Sequence, residues 1–181
     1  MSIFKNTAEK IARRILNNLL NKHARRVEFH NMESANHIGI LFDTNQIENN
    51  CIVSDFYRDL KNQGYKINVA GWYTGTDIPK KPLNTLDFTY FSELDSNWKG
   101  IPHTYEISEF FKQKFDILFV LTQSEELPIQ YIISLSPAAF KVGAKAKNAD
   151  YLDFMIELKK NASIKELIQD SISYLSEIKK N

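Results

Sequence analysis

Length, composition and charge describe an ordinary globular chain and exclude several classes of protein. The chain has 181 residues, of which 43% are hydrophobic and 25% charged, and its formal net charge is +1. These values predict one domain of about 150 residues with an extension. The balanced charge excludes a polyanion-binding surface over the whole molecule. Because Cys51 is the single cysteine, an intramolecular disulfide framework and a cysteine-based zinc knuckle are both excluded.

Charge is unevenly distributed along the chain. Residues 1–30, which we call the basic arm, hold seven Lys and Arg against two Glu, a net charge of +5, so the rest is net negative. From Phe4 to Leu20 apolar side chains recur every three or four positions, which predicts an amphipathic helix. Clustered cations of this kind are expected to contact an anionic surface or a large assembly, such as a ribosome, an RNA or a protein complex. The candidate contact residues are Lys10, Arg13, Arg14, Lys22, Arg25 and Arg26.

The basic arm has a simpler interpretation, in which its helix packs on its own domain and the cations are only solvated. An anionic membrane surface is a weaker alternative partner. Arg13, Arg14, Asn17 and Asn18 interrupt the apolar residues, so no signal-peptide core of about 7 to 15 apolar residues exists. No later stretch approaches the roughly 18 apolar residues of a membrane span. We therefore expect a cytoplasmic protein.

Residues 36–181 alternate between short apolar runs and amphipathic segments. His37 to Phe42 predicts a strand buried on both faces. A helix from Ile47 to Gly64 and a strand from Tyr65 to Trp72 follow. Further strands are predicted at Leu86 to Phe91, Phe115 to Leu121, Phe140 to Val142 and Tyr151 to Leu158, with helices at Ser108 to Gln113, from Ser124 and from Ser163. This alternation predicts a single Rossmann-like, doubly wound, mainly parallel α/β sheet with the basic helix added at its N-terminus.

Polar residues follow the predicted strands, and this is where such sheets bind ligands, near the point at which strand order reverses. The candidate pocket residues are Asp43, Thr44, Asn45, Trp98, Thr122 and Ser124. Neither Asp43-Thr-Asn-Gln nor Thr122-Gln-Ser-Glu contains a glycine, which disfavours a phosphate-binding turn. The simpler interpretation is that Thr44 or Asn45, and Ser124, are helix N-caps. Glu125 and Glu126 are then expected in the first turn of the helix, where acidic groups suit its positive end.

No group of residues predicts catalysis, a cofactor or a resident metal. Asp43 could join Glu125 and Glu126 in a magnesium site if the first and fourth strands are neighbours, but acidic residues at helix ends are commoner. The four histidines lack metal-ligand spacing. Among the large aromatics, Trp72 and Tyr73 are expected to pack in the core, and Trp98 is the best candidate for a functional aromatic.

Several landmarks in order carry a resemblance to known families. They are the basic helix, His37-Ile-Gly-Ile-Leu-Phe-Asp43, Asn97-Trp-Lys-Gly-Ile-Pro102, Phe115-Asp-Ile-Leu, Glu126-Leu-Pro128 and Phe140-Lys-Val-Gly143. Together they resemble an uncharacterised domain family of Bacteroidota bacteria, which implies no activity. Phe115 to Gly143 is also similar to part of the heptosyltransferase-type glycosyltransferases. Those enzymes need a second Rossmann-like domain for the sugar nucleotide, so this resemblance implies the fold and not the activity.

These observations favour a non-catalytic binding or adaptor protein that docks through the basic arm. The alternative is a small enzyme or sensor that binds a phosphorylated or nucleotide-sugar ligand at the carboxyl ends of the strands.

Overall fold

A six-stranded parallel sheet organises the part of the chain that the structure describes. The computed structural model describes residues 2–22, 25–74, 83–97, 101–145, 151–159 and 162–178, with side chains from residue 10 onward in the first helix and none at 21–22. In chain order the elements are α1 (Ser2–Lys22), β1 (His37–Asp43), α2 (Ile47–Asn62), β2 (Lys66–Tyr73), β3 (Phe88–Ser92), a 3₁₀ turn (Glu93–Asp95), α3 (Tyr105–Lys112), β4 (Ile117–Leu121), α4 (Leu127–Leu135), β5 (Phe140–Ala144), β6 (Phe154–Ile156) and α5 (Ile164–Glu177). The strand order is β3-β2-β1-β4-β5-β6, with every neighbouring pair parallel. The predicted Rossmann-like α/β fold is confirmed.

The sheet is buried on both faces, as its uninterrupted apolar strands predict. On one face Ile40 and Phe119 pack with α2 and α5. On the other face Leu41 and Leu118 pack with α3 and α4. Gly39 of β1 leaves no room for a side chain, because the ring of Phe115 covers it and a Cβ placed there would lie 2.7 Å from that ring. The glycine in the first strand therefore serves packing.

Helix α1 lies outside the sheet and packs on α4. Ala12 and Leu16 are fully buried against Leu127 and Tyr131, and the Tyr131 hydroxyl donates to the carbonyl of Ala12 at 3.0 Å. One apolar face of α1 is thus covered by its own domain. None of the described helices is long and apolar enough to cross a bilayer.

Helix α2 begins at Ile47 as predicted, but the predicted N-cap residues of α2 and α4 and the predicted start of α4 at Ser124 were wrong. Gln46, and neither Thr44 nor Asn45, occupies the N-cap position of α2, without a side-chain cap. The hydroxyl of Thr44 is directed to the carbonyl of Trp72 in the neighbouring strand. Helix α4 begins only at Leu127 and has no acidic residue in its first turn. Glu126 occupies its N-cap position, so Ser124 and Glu125 precede the helix. The capping box predicted at Ser163 is present at the start of α5.

Candidate functional site

Strand order reverses between β1 and β4. The chain runs outward from β1 through β2 to β3, and then from β4 through β5 to β6 on the other side. Connections that leave neighbouring strands in opposite directions open a crevice at their carboxyl ends. β1 ends there at Asp43 and β4 at Leu121. The candidate pocket residues that follow these strands are therefore brought to one place.

A cavity of about 320 Å³ lies at this point. Four of the six predicted pocket residues line it, namely Asp43, Asn45, Thr122 and Ser124. Its volume is at the lower end of the roughly 300–1,000 Å³ of small-molecule sites. Its other lining residues are Gln46, Glu48, Asn49, Ile52, Leu121, Gln123, Leu158, Ala162, Ser163, Ile164 and Leu167. We call this cavity the switch-point pocket.

The β1 side of the switch-point pocket is held by hydrogen bonds around Asp43. Its Oδ1 accepts from the backbone N–H of Asn45 at 2.8 Å and from the Asn45 side-chain amide. Asn45 Oδ1 in turn accepts from the backbone of Thr74 at 3.0 Å, which links this side to the end of β2. Asn49 of α2 donates to the carbonyl of Asp43 at 3.3 Å. Among the described residues Asp43 Oδ2 has no hydrogen-bond partner, so it is available to a ligand.

On the β4 side of the switch-point pocket, two hydroxyl groups each accept a hydrogen bond from the backbone N–H two residues further on. Thr122 Oγ1 accepts from the backbone of Ser124 at 3.1 Å, and Ser124 Oγ accepts from the backbone of Glu126 at 3.3 Å. Hydroxyl groups used in this way as acceptors still have a proton to donate. Both residues therefore shape the loop and keep donors for a ligand.

The remaining wall of the switch-point pocket is apolar. Ile52 of α2, Leu158 after β6 and Leu167 of α5 line it, and all three belong to the core that covers this face of the sheet. Polar groups on one side and aliphatic groups on the other are the usual composition of a small-molecule site. The arrangement suits a ligand with one hydrogen-bonding end and one apolar end.

Of the two remaining predicted pocket residues, one lies outside the cavity lining and the other outside the described residues. Thr44 is buried, and its hydroxyl donates to the carbonyl of Trp72 at 2.9 Å. Trp98 lies outside the described residues. Trp72 is fully buried against Phe91, which confirms its expected place in the core.

Some candidate contact residues of the basic arm form hydrogen bonds within the protein, and others are exposed. Arg25 donates to both carboxylate oxygens of Asp153 and to the carbonyls of Ala138 and Ala139. Arg13 donates to Gln130 Oε1 at 3.0 Å. The exposed members of the set are Lys10, Arg14 and Arg26, and the side chain of Lys22 lies outside the described residues. Arg25 therefore holds the chain after α1 to the sheet, and we call its contacts with Asp153, Ala138 and Ala139 the structural clamp.

A short relay connects the basic arm to the switch-point pocket. Gln130 of α4, which accepts from Arg13, is itself buried and donates to the carbonyl of Glu125 at 3.0 Å. Glu125 directly follows Ser124, which lines the pocket. The position of α1 is thereby tied to the loop on the β4 side.

Lys141 is the buried charged residue that sequence reasoning missed. It is 1% exposed, and its Nζ donates to the carbonyls of Ile133 at 2.5 Å and Ser134 at 3.3 Å, in the last turn of α4. Burial, followed by the nearby Arg25 guanidinium, lowers the pKa of Lys141 to about 7. A lysine at the second position of an apolar strand is the signal that could have found it.

Within the described part of the chain, neither a histidine nor a cysteine lines the switch-point pocket. Within the described ranges, no three His, Cys, Asp or Glu side chains come together as metal ligands. His37 lies at the opposite end of β1, where its ring contacts Asn68 Oδ1 at 2.9 Å, and burial lowers its pKa. His103 and Cys51 are exposed, and His23 lies outside the described residues.

The comparisons with known proteins identify the family of the chain. The model of a family of unknown function, DUF6913, matches residues 9–178. The chain belongs to this family. The match includes α1 from its third turn onward together with the whole sheet, and it confirms the predicted resemblance to an uncharacterised family. Neither the curated proteins nor the solved structures gave a match.

Proposed function

We propose that this protein is a small-molecule-binding domain whose ligand occupies the switch-point pocket. The observation that carries the proposal is the convergence of Asp43, Asn45, Thr122 and Ser124 on one cavity beyond β1 and β4. Parallel α/β sheets bind ligands at this position. Free acceptor and donor groups face an aliphatic wall there, which supports binding of an amphipathic ligand. The same site would serve a ligand sensor or a small enzyme.

Blocking the switch-point pocket should abolish binding without unfolding the protein. Gln123 is exposed and lines the cavity, so Gln123→Trp adds bulk at the rim at little cost in stability. In a thermal-shift screen of a metabolite library, a ligand at a hundred times its Kd raises the unfolding free energy by about 2.7 kcal/mol. We expect ligands that stabilise the wild type and leave Gln123→Trp unchanged.

The matched control is Gln169→Trp, which adds the same side chain at an exposed position of α5 away from the cavity lining. It should respond to ligands as the wild type does. Ligands that stabilise all three proteins equally, or a library without a ligand, would contradict the proposal.

The exposed cations of the basic arm favour a second function, docking on an anionic surface or a large assembly. Lys10 and Arg14 are exposed and lie one helical turn apart, and Ile11, three positions before Arg14, is 42% exposed. A cationic and partly apolar strip of this kind supports the adaptor role predicted from the sequence, with a protein or ribonucleoprotein partner in the cytoplasm. The order of the sequence landmarks supports a bacterial origin, in Bacteroidota. The similarity of Phe115 to Gly143 to heptosyltransferase-type enzymes supports only a shared fold.

Charge reversal on α1 tests this second function. We expect Lys10→Glu with Arg14→Glu to weaken binding to heparin and total RNA about tenfold and to reduce the salt slope of log Kd by about two. Lys112→Glu with Lys114→Glu makes the same charge change at exposed positions in and after α3 and should leave binding unchanged. Equal loss in both double variants would show that only net charge matters and would contradict docking through α1.

A further inference from the structure

The ligand class of the switch-point pocket follows from the charge of its lining. Asp43 and Glu48 are the ionisable residues among the described lining, which contains no Lys, Arg or His. The Glu48 carboxylate has no hydrogen-bond or ion-pair partner within the described part of the chain, and Asp43 keeps one free oxygen. The cavity therefore presents unpaired negative charge to whatever enters it.

Both helix N-termini at the pocket already have a carboxylate. Glu166 accepts from the backbone N–H of Ser163 at 2.7 Å and from its hydroxyl at 3.1 Å. These hydrogen bonds lower the pKa of Glu166, which keeps a negative charge at the start of α5. Glu48 occupies the first turn of α2. The positive end of a helix attracts a phosphate only where its N–H groups and dipole are free, so these two ends offer a phosphate little.

A ligand with hydrogen-bond donors matches the unpaired carboxylate oxygens of the switch-point pocket better than a phosphate does. Asp43 Oδ2 and the Glu48 carboxylate accept hydrogen bonds only, since ionised carboxylates have no proton to give. Bonds from hydroxyl or ammonium groups to such carboxylates are the stronger, charge-assisted kind. The aliphatic wall of Ile52, Leu158 and Leu167 can cover a flat ring at the other end of the same molecule.

We infer that the switch-point pocket binds an uncharged or cationic small molecule with hydroxyl or amine donors and an apolar or aromatic ring, of which a nucleoside without phosphate is the model ligand. This inference rests on the proposed function. It replaces the phosphorylated or nucleotide-sugar ligand that the sequence suggested with one that lacks the phosphate.

The test compares ligands that differ only in phosphate. Adenosine and AMP are titrated into the full chain by isothermal titration calorimetry at low and high salt. We expect adenosine to bind at least about tenfold more tightly than AMP at low salt, and the difference to shrink at high salt, because screening weakens the repulsion between the phosphate and the two carboxylates.

Removing one of the two carboxylates should reduce the preference of the pocket for adenosine over AMP. Glu48→Gln keeps the shape of an exposed side chain and should reduce the preference for adenosine by about two- to fivefold. Glu106→Gln is the matched control, since Glu106 is also an exposed first-turn glutamate, in α3, away from the cavity. The preference should be unchanged in this variant.

Two outcomes would overturn the inference. Tighter binding of AMP, abolished by Gln123→Trp, would overturn the ligand class and leave the pocket itself standing. Absence of binding by both compounds would also overturn the ligand class, and the library screen would then show separately whether the pocket binds any small molecule.

Discussion

Asp153→Ala should lower the free energy of unfolding by about 3 kcal/mol, because it leaves a nearly buried guanidinium without its counter-charge. The side chains of Arg25 and Asp153 are only 15% and 12% exposed. Asp153 also accepts from the backbone N–H of Lys141 at 2.9 Å, so the substitution leaves a second donor without its acceptor. Urea unfolding followed by circular dichroism measures the loss.

Asp170→Ala is the control for this effect, because Asp170 is exposed in α5. Its free energy of unfolding should stay within about 0.5 kcal/mol of the wild type. Equal stability of Asp153→Ala and Asp170→Ala would contradict the assignment of Arg25 as a structural clamp and would return Arg25 to the residues available to a partner.

The stability of the protein should increase as the pH rises above 7, and Lys141 is the cause. Its pKa is about 7 in the folded protein and 10.5 when solvated, so between these values the unfolded chain binds more protons than the folded one. The free energy of unfolding then rises by up to about 1.4 kcal/mol for each unit of pH. This gain in stability is lost again as the pH falls towards 7. Urea unfolding between pH 7.5 and 9.5, a range above the lowered pKa of His37, should show this slope.

Lys141→Met should remove the slope. At pH 7.5 the variant also loses the donor to the carbonyls of Ile133 and Ser134, at a cost of about 1–3 kcal/mol. The control Lys145→Met changes an exposed lysine whose Nζ lies 3.6 Å from Glu157 at the surface, and it should keep the slope. Parallel pH profiles for the wild type and Lys141→Met would show that the slope has another origin.

The clamp and the relay give the basic arm a role inside the domain. Arg25 holds the chain after α1 to Asp153 next to β6, and Arg13 reaches the loop of the switch-point pocket through Gln130. A partner bound to the exposed strip of α1 would therefore contact a helix already tied to the pocket. Docking and ligand binding are measured separately by the variants described above.

The location of the candidate site could be predicted from sequence, but its chemistry could not. Apolar runs reveal parallel strands, and ligands bind where such strands end, which selected Asp43, Asn45, Thr122 and Ser124. The contribution of α5 was not foreseen. Leu167 lies more than 100 residues after Asp43 in the chain, and only the packing of α5 against β4 and α2 makes it a wall of the same cavity.

The N-cap of α2 and the partners of the cations could not be predicted from local sequence, because both depend on residues that are distant in the chain. Thr44 has the composition of an N-cap, but the neighbouring strand offers its hydroxyl the carbonyl of Trp72 at 2.9 Å. Arg25 has the appearance of a solvated cation until Asp153, far along the chain, comes to its side.

By itself the sequence determined the elements, the fold class and the edge of the sheet where the candidate pocket residues lie, because hydrophobic periodicity and strand polarity are local properties of the chain. Tertiary structure decided which charges are available. Arg25 and Lys141 are internal, whereas Asp43 and Glu48 face a cavity, since a side chain's partners are set by segments that meet only when the chain folds.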